Sequence, residues 1–100
     1  MRTMANSQPL LVFFTAERSG PSRRMESLVA HIAHKERSRL RVLQVDVDER
    51  ADLAAKLAVR LAPTLVLVVG RKVVGRIEGR ASAPRIEALL EAHLEPTPAA

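Results

Sequence analysis

The chain has 100 residues, no Cys, Trp or Tyr, and a formal net charge of +5. The absence of Cys excludes disulfide staples, thiolate metal sites and any chemistry on a thiol of its own. Phe13 and Phe14 are the only aromatics, so a single small domain, burying ~60–65% of its unfolded surface, must build its core from Leu, Val, Ile and Ala.

Residues 1–8 are polar, carry no periodicity and are expected to form a flexible leader. Residues 10–14, Leu-Leu-Val-Phe-Phe, are a continuous apolar run, as expected of a strand buried on both faces. A loop over residues 15–20 follows. Pro21 suits the first position of a helix, where its missing N–H costs nothing. Met25, Leu28, Val29 and Ile32 then fall at i, i+3, i+4 and i+7, one apolar stripe. That helix should end in the charged stretch 35–38.

Residues 40–47 alternate well enough for a second strand, and Asp48 is the expected N-cap of a second helix whose Leu53, Ala54 and Leu57 face the core. Pro63 interrupts, since the residue before a proline is biased away from helix. Residues 64–69 and 72–78 read as a hairpin closed by Gly70-Arg71. A loop over 79–83 leads to a last helix with Pro84 near its start and Ile86, Leu89, Leu90 and Leu94 along its apolar face. Residues 96–100 read as a frayed tail, leaving a domain at 9–95.

The resulting order is βαβαββα, an α/β domain. A right-handed crossover makes the first two strands parallel neighbours, and helices must cover both faces of a four-stranded mixed sheet. The longest apolar runs, 10–14 and 65–69, fall far short of the ~20 residues of a membrane span, and the N-terminal one is below the ~7–15 of a signal-peptide core. A cytoplasmic protein without membrane association is expected. The positive charge favours acidic partners in general, and the lack of an aromatic stacking platform weakens a nucleic-acid reading.

Four motifs in this order resemble the thioredoxin family. Ala16-Glu17-Arg18-Ser19-Gly20-Pro21-Ser22 is similar to the active-site segment A-E-W-C-G-P-C, with serine at both cysteine positions. Val45-Asp46-Val47-Asp48 resembles the family's V-D-V-D. Val59-Arg60-Leu61-Ala62-Pro63-Thr64 is similar to V-R-x-x-P-T, whose proline is cis. Gly79 matches the glycine that ends the fourth strand and faces the active site. The likeness runs over residues 9–95 and implies a minimal thioredoxin fold, without the first strand and helix of a full-length member.

The departures decide the chemistry. Ser19 and Ser22 stand where the nucleophilic and resolving cysteines would be, Arg18 replaces the tryptophan, and Phe13 replaces the buried aspartate that manages protons. A pair of Cys→Ser replacements alone would leave the tryptophan and aspartate in place, so the pattern reads as a natural redox-inactive branch. Thiol–disulfide exchange needs a thiolate, and a serine hydroxyl is too weak an acid to substitute. An activated serine would need an adjacent base, and the segment offers only Glu17. Ser19 reads more simply as a helix N-cap. Asp46 and Asp48 read as a strand end and an N-cap. His31, His34 and His93 read as solvated helix residues, and no cofactor or metal is implied.

What the resemblance leaves is binding. In the family, the residue before the cis-proline pairs its backbone with an extended peptide, and Ala62 holds that place. The expected groove consists of Arg18, Gly20, Pro21, Ala62, Pro63 and Gly79, with Arg18, Arg23, Arg60 and Arg80 as an anion-attracting rim. The leading expectation is a protein- or peptide-binding module, with an acidic partner favoured by the rim. One rival is an enzyme that binds glutathione or another small anion, with Ser19 donating a hydrogen bond to its thiolate. Transferases of that kind carry a helical second domain not present in these residues. The other rival is charge-driven nucleic-acid association.

Overall fold

The computed structural model describes residues 8–95; residues 1–7 and 96–100, which hold most of the expected leader and the tail, lie outside it. The elements are β1 (Leu10–Thr15), α1 (Gly20–Lys35), β2 (Arg41–Asp46), α2 (Ala51–Lys56), β3 (Thr64–Val69), β4 (Lys72–Glu78) and α3 (Ala83–His93). This is the βαβαββα order read from the sequence. The four strands lie in the order β2-β1-β3-β4, with β1 and β2 parallel and the other two pairs antiparallel.

β1 sits between two neighbours, and its residues Leu11–Thr15 are all buried. Because side chains alternate along a strand, Leu11 and Phe13 enter the core under α1 and α3, with Met25, Ile32, Leu65, Ile86 and Leu90. Val12 and Phe14 enter a smaller core under α2, with Val45, Ala54 and Val66. Leu28 and Leu89 are half-buried at the margin of the first core.

The α1 stripe turns its opposite face, including His31 and His34, to solvent. Beyond its C-terminal end, Arg39 is held by Glu36 at 2.7 Å and by Glu91 of α3 at 2.9 Å, and it donates to the Glu95 carbonyl at 2.8 Å. Only 9% of the Arg39 side chain is exposed, so this cross-link is shielded from screening more than the surface pair Lys35–Glu87. At Gly75 an added Cβ would come within 2.5 Å of Leu89 Cδ1, so a larger residue there would make the Leu89 side chain of α3 move aside. The Gly70-Arg71 loop has positive φ at both residues, 59° and 69°, as a two-residue hairpin of the I′ kind demands.

α2 corrects one expectation. Asp48 is not its N-cap; the N-cap is Arg50, with no side-chain hydrogen bond. Asp46 Oδ1 instead accepts from the N–H groups of Asp48 and Glu49 at 2.8 and 3.2 Å, an Asx-type turn that delays the helix by two residues. The same local ordering holds Asp52 in the first helical turn, where hydrogen bonds from Arg50 and then from the Leu53 N–H keep its carboxyl below the usual range.

α2 ends in a Schellman arrangement. The Val59 N–H bonds the Ala54 carbonyl and the Ala58 N–H bonds the Ala55 carbonyl, with Ala58 left-handed at φ 56°. Arg76 of β4 then donates to the Leu57 and Ala58 carbonyls at 3.0 and 2.9 Å. Ala58→Gly is therefore expected to raise the unfolding free energy by about 0.5–1 kcal/mol, relieving a left-handed Cβ at the cost of some chain entropy. Chemical denaturation measures it, and a loss of stability would show that Ala58 is not held left-handed. Among the described residues no helix is long and apolar enough to cross a membrane.

Candidate functional site

The C-terminal ends of β1 and β2 and the start of β3 meet at one end of the sheet. Phe14 lies opposite Thr64, and Thr64 lies opposite Glu78 at the end of β4. Gly79, just past β4, donates its N–H to the Pro63 carbonyl at 2.8 Å, which brings those two expected groove positions together. The Ala62–Pro63 peptide bond is cis.

The turn after β1 is organised by its serines. Ser19 is the N-cap of α1, with φ −91° and ψ 109°, and its Oγ accepts from the Ser22 N–H at 3.1 Å. Pro21 sits in the first turn of the helix. Ser22 is fully buried, and its Oγ accepts from the Ala16 N–H at 3.4 Å. Both hydroxyls are thus engaged in fixing the turn. Beneath it, Phe13 is fully buried and packed in the apolar cluster that also holds Met25. The buried carboxylate among the described residues, Glu36, lies beyond the far end of α1 and is paired with Arg39.

Two clefts flank the turn. The first, of about 650 Å³, has Thr15 and Gln44 in its wall and is bordered by Glu17, Glu26, Asp46 and Glu49 around the single guanidinium of Arg23. The second, of about 450 Å³, is lined by Ala16, Ala51, Ala54, Ala55, Val47 and Val59, with Asp48 and Arg60 at its polar margin and Leu61 and Ala62 along one side. Ala62 is half-buried, and neither its N–H nor its C=O is hydrogen-bonded among the described residues. The neighbouring Leu61 carbonyl, by contrast, accepts from Thr64 Oγ1 at 2.8 Å, and its side chain is 46% exposed.

The structure divides the expected arginine rim. Arg23 and Gly20 share a shallow surface with Arg24 and Glu26, Arg60 belongs to the second cleft, and Arg18 and Arg80 are exposed and line none of these clefts. The apolar floor supplied by α2 went unread in the sequence, although Ala51, Ala54 and Ala55 at i, i+3 and i+4 are the signal of a small-residue face. The four carboxylates of the first cleft also went unread, because three different segments contribute them.

The thioredoxin family model matches residues 2–92. The chain belongs to the thioredoxin family. It is 33% identical over 92 residues to a thioredoxin of Griffithsia pacifica, covering 90% of this chain and 83% of that protein. It is 32% identical over 91 residues to a thioredoxin of Acidithiobacillus ferridurans, covering 91% and 84%. Among solved structures, a mutant thioredoxin from Halobacterium salinarum NRC-1 superposes with a TM-score of 0.82 at 31% identity, covering 93% of this chain and 80% of that one. This member has the thioredoxin fold and no cysteine, so it lacks the thiolate on which disulfide exchange depends.

Proposed function

We propose that this protein is a redox-inactive thioredoxin-fold binding module that holds an extended segment of a protein or peptide along Ala62. The carrying observation is the N–H and C=O of Ala62, unpaired among the described residues, beside the alanine-lined cleft. A backbone donor and acceptor without partners among the described residues favours strand-like pairing with another chain. The alanine-lined cleft next to it has room for one apolar side chain of that segment, and exposed Leu61 widens the apolar contact. The carboxylates beside the Ser-Gly-Pro-Ser turn favour a basic residue, rather than an acidic one, on that flank. They also disfavour a small anion or nucleic acid at this end of the sheet.

Panning a displayed library of cysteine-free peptides supplies a ligand. Leu61→Asp should weaken that ligand by at least about tenfold, roughly 1.4 kcal/mol. Val73→Asp adds the same charge at a residue of equal exposure on β4 and should leave affinity unchanged. Equal losses from both variants would remove the groove from the account.

A further inference from the structure

The two edges of the sheet are finished differently. The β4 edge carries Lys72 and Arg76, has a side-chain gap at Gly75 and is paired to β3 through a register shift at Leu67/Val68. Such features blunt strand addition. The β2 edge, Arg-Val-Leu-Gln-Val-Asp, has no Pro, Gly or bulge, and its Leu43 is 44% exposed.

The ladder fixes which groups face outward. The Arg41 N–H bonds the Pro9 carbonyl and the Val47 N–H bonds the Thr15 carbonyl, so odd-numbered residues of this segment point their backbone at β1. Val42 and Gln44 therefore turn N–H and C=O to the open side, where no strand lies among the described residues, and Asp46 turns its N–H there while its carbonyl accepts from the Arg50 N–H at 3.0 Å.

We propose that a second copy of this chain pairs with this edge, β2 antiparallel to β2, about a twofold axis at Gln44. Only outward-facing residues can exchange ladder bonds, and this axis sets Gln44 opposite the partner's Gln44 and Val42 opposite the partner's Asp46. It also sets Leu43 beside the partner's Val45, which covers the exposed apolar side chain.

Charge selects this occupant. Exposed Arg37 and Arg41 precede or open the strand, and Asp46, Asp48 and Glu49 close it, with Glu26 bordering the same end. Arg50 in the closing turn is engaged by Asp52 at 3.1 Å. Antiparallel pairing lays the cationic start over the partner's anionic end twice, whereas parallel pairing would set like against like. The twofold closes, so assembly stops at two.

A six-residue edge buries less than the ~1,200 Å² of a stable interface, so the dimer is concentration-dependent and sensitive to salt. Sedimentation equilibrium of the full chain tests this from ~10 μM to ~1 mM protein, at ~0.05 M and ~0.5 M salt. The average mass should climb toward twice that of one chain at low salt, with the midpoint at least about tenfold higher in concentration at high salt. Gln44→Pro should abolish the rise, because its N–H faces away from β1 and proline there leaves the internal ladder intact. Leu43→Lys should weaken pairing, while Val73→Lys on β4 should not. Thermal melts confirm that each variant is folded. A monomer at every concentration, a dimer indifferent to salt, or one that survives Gln44→Pro would overturn the proposal.

Discussion

Phe13→Asp is expected to destabilise the protein by at least about 4 kcal/mol at neutral pH. Removing a fully buried phenyl ring typically costs ~3–5 kcal/mol, and the incoming carboxyl group adds desolvation. Native stabilities of ~5–15 kcal/mol leave little after such a loss. The variant should also show a pH signature. Burial raises the folded-state pKa of the new carboxyl above its unfolded value of ~3.9. The native state then binds the proton more tightly, so the penalty is smallest near pH 4 and grows as pH rises through the folded pKa. Urea titrations at several pH values measure both effects. A cost below ~1 kcal/mol would mean that this core still accommodates the family's aspartate.

Ser19→Cys with Ser22→Cys is expected to form a disulfide but to remain a poor reductase. The turn already places the two residues at i and i+3 of a helix start, with Ser19 Oγ 3.1 Å from the Ser22 N–H. The new Cys at the capping position would gain thiolate character from the helix N-terminus. The second would lie fully buried, where apolar surroundings raise a thiol's pKa, with Phe13 in place of a group that could move its proton. Proton transfer by a positioned side chain contributes ~10²–10⁴ in rate, so insulin reduction should run at least about a hundredfold below that of a cysteine-bearing relative. The unaltered protein should give the uncatalysed rate. A double variant that matches a thioredoxin would show that the surroundings of the turn were never remodelled.

Much of the fold was legible because its signals are local. The run through Phe14, the Met25–Ile32 stripe and the Gly70-Arg71 hairpin each report on a few adjacent residues, and the elements they mark lie within a residue or so of their expected places. The start of α2 was misread for a local reason too. Asp48 looks like a cap, but Asp46 captures the N–H groups at that point first. The site was legible only in part. Ser19, Ser22, Ala62 and Pro63 follow from motif positions. The neighbourhood of Arg23 does not, because Glu17, Glu26 and Glu49 approach it from a loop, a helix and a turn distant in sequence. Nothing in the spacing of the arginines reveals that separate clefts would divide them.

The most direct test of the binding account is a nuclear magnetic resonance titration of the protein with a panned, cysteine-free peptide, with and without reductant. The account predicts that the Ala62 amide shifts and exchanges more slowly with solvent, together with shifts at Ala16, Leu61 and the Ala51–Ala55 face of α2. The affinity should be the same in both redox conditions. An Ala62 amide that neither shifts nor gains protection, while the peptide binds elsewhere on the surface, would contradict it.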